Sequence, residues 1–152
     1  MKKIGMLTGL VFIIVFMLIV ESSAQMMKWK GSGGWCRMDS PYMRLYNPNT
    51  VETITGEVVK IGMFYPVKRM TQGIHLVVKT EKEEISVHLG PAWYIQYQDI
   101  EIKPKDKVEV KGARVIFREK PIIIAAEIKR GEDILHLRDK NGFPFWSGWR
   151  RR

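Results

Sequence analysis

With 152 residues, 45% of them hydrophobic, and a formal net charge of +9, the chain is long enough to bury one real core. Its single cysteine, Cys36, excludes a domain stapled by internal disulfides, and the positive excess disfavours cationic partners. The absence of G-x-S-x-G, H-E-x-x-H, phosphate-loop and C-x-x-C-H patterns leaves no signature of those enzyme classes or of covalent haem, and the chain reads as a non-enzyme.

Lys2 and Lys3 precede an apolar run from Ile4 to Val20, after which Ser22 and Ala24 occupy the small-residue positions of a cleavage site. This pattern predicts a signal peptide over residues 1–24, a mature chain beginning at Gln25 and a periplasmic location. Left uncleaved, the same run would anchor the chain in the inner membrane, since it reaches the lower end of the roughly 17–25 residues a span requires. Cleavage removes Lys2, Lys3 and Glu21 and leaves a net charge of +8. Outside the cytoplasm, that charge predicts an acidic protein or envelope component as partner and argues against nucleic acid. Membrane contact is expected only through an uncleaved N-terminal segment.

Residues 25–50 have no period and are punctuated by Gly, Pro, Ser and Asn. They predict an irregular arm that begins to pack at about Tyr42. Cys36, within this arm, reads as a tolerated free thiol, an intermolecular bridge or a soft metal ligand.

From Val51 the signals are those of strands. Residues 51–61 alternate and are β-branched, with a bulge or bend expected at Gly56. A loop follows over 62–73, then strands at 74–80 and 83–90 around Glu81-Lys82. Residues 91–99 predict a short helix with Pro91 at its first position. Residues 107–117 form a strand whose apolar parity changes across Gly112, as a bulge there would require. After a turn at 118–121 come strands at 122–129 and 133–139 and a tail over 140–152. The domain at 51–139 is therefore expected to be mainly β: an OB-fold-like, five- to six-stranded Greek-key barrel with one short helix between strands three and four.

Pairing the hairpin about Glu81-Lys82 sets Ile74 opposite Leu89, Leu76 opposite Val87 and Val78 opposite Ile85 on one apolar face. The other face sets Lys79 against Glu84 and His75 against His88. Two adjacent neutral imidazoles suit a transition metal, with His136 or a methionine as a third ligand. Alternatively the pair lies on the outer face, hydrogen-bonded to backbone and covered by the aromatic tail. No other cofactor is implied.

The loop 62–73 carries Phe64, Tyr65, Lys68 and Arg69, aromatics beside cations that suit a ligand or acidic partner. In the tail, Trp146 and Trp149 stand beside three terminal arginines. They either cap an open end of the fold or form a docking patch.

The segments "TVETITGEVVKI", "GIHLVVKT", "ISVHLGPAWYI", "KVEVKGARV" and "IIAAEIKRGEDILHLRDKNGFPFWSGW" resemble a family of small exported bacterial OB-type proteins. They are similar to the domain of magnetosome proteins of the MamS/MamX type. The resemblance spans about residues 46–149 and implies an envelope location; it brings no chemistry of its own. The functional expectation is an exported OB-fold binding module. The alternatives are a metal-handling or redox accessory protein centred on His75 and His88, and a single-stranded nucleic-acid binder.

Overall fold

Six strands and three short helical turns make up the regular structure of residues 32–147, the part of the chain described by a computed structural model. The strands are β1 (Val51–Phe64), β2 (Gly73–Lys79), β3 (Glu84–Pro91), β4 (Lys107–Phe117), β5 (Lys120–Arg130) and β6 (Asp133–His136). A helical turn, α1 (Ala92–Ile95), stands between β3 and β4. Pro91 caps this turn at its N-terminus; it had been expected one position later, inside the helix.

The sheet order is β3-β2-β1-β4-β5-β6, all antiparallel, and β3 also pairs in parallel with β5 through Ser86–His88 and Ile122–Ile124. The hydrogen bonds of β1, β2, β3, β5 and β4 thus close into a ring. Inside it Val58, Leu76, Val78, Val87, Val108, Val110, Ile123 and Ile128 are almost wholly removed from solvent. Their burial supplies the main driving force for the fold, about 25 cal/mol per Å² of apolar surface.

The β2–β3 register follows the expected pairing from His75–His88 to Lys79–Glu84. It slips at the far end, where Ile74 faces Gly90 and not Leu89. The first strand is irregular between Val58 and Lys60, not at Gly56.

The parity change in β4 has a different origin from the expected bulge at Gly112. The β4–β5 register does shift there, with Lys111 facing Glu127 and Gly112 facing Ala125, so the extra residue is Ala126 on β5. β4 itself stays in step with β1 from Lys107 to Ala113. Residues opposed in a ladder point to one face, so Ala113, Val115 and Phe117 turn to the face opposite Val108 and Val110. There a second cluster packs on them, burying Ala113 and Val115 and partly covering Phe117, which is edge-on to Tyr42 with ring centroids 5.6 Å apart. Gly112 has its own reason to lack a side chain, since a Cβ would sit 2.4 Å from the carbonyl oxygen of Ile124. The displaced Ala126 carbonyl accepts hydrogen bonds from the backbone of Leu137 (2.8 Å) and Arg138 (3.0 Å), tying the chain after β6 to the ring.

This second cluster covers the outer face of β2 and β3. Its centre is Trp35, Tyr42, Phe64, His88 and Phe117, with Trp35 edge-on to Trp146 at 6.0 Å. The arm is therefore packed well before Tyr42, because Trp35 is fully buried and its indole donates to Thr71 O at 3.0 Å. At one edge of the ring Arg114 joins Glu52 (2.7 Å) and Glu83 (2.6 Å).

The β4–β5 turn is Arg118-Glu119, and both residues have positive φ, 50° and 66°. This is the backbone that Asn-Gly or Gly-Gly adopts without steric cost. Glu119 is exposed, so Glu119→Gly is expected to raise stability by about 0.5–1 kcal/mol in urea denaturation. A loss of stability would show that the Glu119 side chain makes a contact outweighing the relieved strain.

Candidate functional site

β1 runs three residues further than its sequence pattern suggests, which places Phe64 in the strand with its ring 3.9 Å from the His88 ring. Phe64 is thus a packing residue beneath the loop, and the loop itself spans residues 65–72. Its ends are fixed. Arg118 donates to Tyr65 O at 2.7 Å and Pro66 O at 3.2 Å. Met70, nearly buried, closes an internal turn through its bond to Val67 O at 3.1 Å. Thr71 N bonds to Gly33 O of the arm at 2.9 Å. Between these anchors Lys68 and Arg69 are exposed, and Arg69 has φ 77°, a left-handed conformation unusual for a side-chain-bearing residue.

Beside the loop lies a cleft of about 420 Å³, lined by Tyr65, Thr71, Gln72, Ala92, Trp93 and Gln96. Gln72 Nε2 donates to the Tyr65 hydroxyl at 2.9 Å, and Ala92 N donates to Gln72 O at 2.9 Å. Trp93 is oriented by its indole bond to Ser32 O at 3.1 Å. The walls are therefore held by hydrogen bonds, and among the lining residues none is ionised. A hollow of about 550 Å³ lies elsewhere, between β6 and the end of α1. Its lining includes Asp99, Ile134, His136 and Phe145 and has no Lys or Arg, so it does not suit an acidic partner.

His75 and His88 do face each other, with ring centroids 6.2 Å apart and planes at 74°. Their Nδ1 atoms are already engaged, His75 with Ser86 Oγ at 3.0 Å and His88 with the Tyr42 hydroxyl at 3.0 Å. Burial lowers both pKa values. His88 falls to about 3, mainly from burial and then from His75, Arg138 and Arg118; for His75, burial comes first and Lys60 second. Both rings are neutral at physiological pH. Among the described residues no three of His, Cys, Asp and Glu gather as a metal cluster. His136, the suggested third ligand, lies instead against Glu127 at 3.4 Å. Among the described residues, Tyr42 and Phe64 lie over His88.

Trp146 is fully buried, and its indole donates to Trp35 O at 3.0 Å, which makes it a cap and removes it from any exposed docking patch. Trp149 lies outside the described residues. Cys36 is free and half-buried.

Several residues of the site carry no mark in the sequence. Arg118 braces the loop from a turn that reads as ordinary. Trp93 and Gln96 join Tyr65 and Gln72 in the cleft because α1 follows β3 directly. Arg138 is buried with Nη1 bonded to Leu89 O (3.0 Å) and to Ala125 O, and its guanidinium lies 4.7 Å from the Trp146 ring centroid. Its Nη2 has no partner among the described residues, and burial lowers its pKa to about 10.

Compared with known families, residues 50–135 match the model of the MamS/MamX magnetosome protein family. The match takes in the loop, both histidines, α1 and the Arg118 turn, and leaves out the arm and Trp146. No curated protein matches the chain.

Proposed function

The chain belongs to the MamS/MamX magnetosome protein family, and from that premise we propose that it is an exported, non-enzymatic binding module for an acidic partner in the cell envelope. The strand circuit β1-β2-β3-β5-β4, with α1 between β3 and β4, supports reading the ring as an OB-fold-like Greek-key barrel. In that fold the loop joining the first two strands borders the binding face. The apolar run and cleavage pattern of residues 1–24 support export.

The observation that carries the reading is the braced loop. Lys68 and Arg69 stand exposed on a segment whose two ends are fixed by Arg118 and the arm, and residues 62–73 contain no acidic side chain. Cations held out on a pre-ordered loop attract anions with little ordering cost on binding.

Poly-glutamate is a defined acidic probe. Binding to it is expected to weaken steeply as salt rises, and Lys68→Glu/Arg69→Glu is expected to lower affinity about tenfold or more in titration calorimetry. Binding indifferent to salt and unchanged in the double variant would overturn the proposal.

A further inference from the structure

We propose that the cleft between Tyr65 and Trp93 is a subsite for an acidic sugar residue, such as a uronate unit of an envelope polysaccharide. This deepens the binding-module reading and rests on it, because the loop cations supply the charge recognition.

The chemistry of the lining selects the class. A sugar ring presents an apolar C–H face and a fringe of hydroxyl groups. Its lining has counterparts of both: the aromatic side chains of Tyr65 and Trp93, and the amides and hydroxyl of Gln72, Gln96 and Thr71. Side-chain amides donate and accept at once, as a hydroxyl fringe requires. At about 420 Å³ the cleft falls within the range of small-ligand sites, about 300–1,000 Å³. Because no lining residue is ionised, the ligand's negative charge must be met at the rim. Arg118 sits on the carbonyl of the lining residue Tyr65, and Lys68 and Arg69 belong to the same loop, three and two residues before Thr71.

The fold also speaks against an extended single strand of nucleic acid. OB-folds that bind such strands use the face of their second and third strands. Here the aromatic cluster under Tyr42 and Trp35 covers that face, where His88 is nearly inaccessible. The cleft beside the loop is instead suited to a compact unit.

The full chain is titrated with alginate oligosaccharides, poly-glutamate and poly-uridylate, each against wild type, Tyr65→Ala, Gln96→Ala and Lys68→Glu/Arg69→Glu. Thermal melting shows that each variant is folded; Tyr65 and Gln96 are exposed, so the melts are expected to be unchanged. Alginate binding is expected to weaken about tenfold in both cleft variants, while poly-glutamate binding stays as in wild type and falls only in the charge-reversal variant. If alginate and poly-glutamate respond only to the charge reversal, the sugar subsite is overturned and the acidic-partner reading survives. If neither probe binds, both readings fail. If poly-uridylate alone binds in a cleft-dependent way, the cleft is a nucleotide site and the sugar assignment is overturned.

Discussion

Trp146→Ala is expected to cost about 3–5 kcal/mol of folding stability, the range for removing a fully buried tryptophan. The side chain has no exposed surface, packs on Gly90 and lies 5.6 Å from the Tyr94 ring. Its loss opens a cavity and leaves Trp35 O without the indole donor. It also strips the aromatic face from Arg138, whose Nη2 already has no partner among the described residues. Urea denaturation followed by far-UV circular dichroism measures the loss without depending on the deleted fluorophore. The neighbouring Phe145→Ala, at a half-exposed position, is the control and is expected to stay within about 0.5 kcal/mol of wild type. A Trp146→Ala protein as stable as that control would mean that the tail does not close the fold.

Acidification is expected to destabilise the protein through His88 in particular. The folded pKa is about 3, whereas an unfolded histidine titrates near 6.5. Between these values the unfolded chain holds a proton that the folded chain refuses. The contribution is therefore intact above about pH 6.5 and is lost progressively as pH falls toward 3, amounting to a few kcal/mol. His75, also lowered, acts in the same direction. Carboxylates add their own acid dependence, so the useful quantity is the difference between the stability–pH curves of wild type and His88→Phe. Wild type is expected to lose a few kcal/mol of stability relative to His88→Phe from pH 7 to pH 4, and parallel curves would show that the His88 environment is open to protons.

The hairpin register was legible because every signal in it agreed: alternating apolar residues, an opposed Lys79–Glu84 pair and a charged turn. It failed only at Ile74, where Gly90 and Pro91 offer no side-chain pattern to read. The bulge next to Gly112 was located to within a residue but assigned to the wrong strand. β4 alternates and so shows its parity change, while the run Ile122–Ala126 is apolar on both faces and hides the extra residue. The burial of the arm ahead of Tyr42 was illegible for a related reason. Packing was expected from about Tyr42, and Tyr42 is buried, but Trp35 packs through an irregular backbone, and periodicity carries information only for helices and strands. The loop cations were visible in the sequence. The cleft beside them was not, because it joins two segments twenty or more residues apart.

Closing the ring through parallel pairing of β3 with β5 dictates how the chain reaches this state. The two partners are separated by α1 and all of β4, so the closing rungs cannot form until distant segments have met. Topologies dominated by such non-local pairings fold in roughly milliseconds to seconds. Throughout that interval the Ser86–His88 edge stands unpaired, a template for another chain. The formal charge of +9 bears on that interval: mutual repulsion between like-charged chains opposes edge-to-edge joining of half-closed molecules.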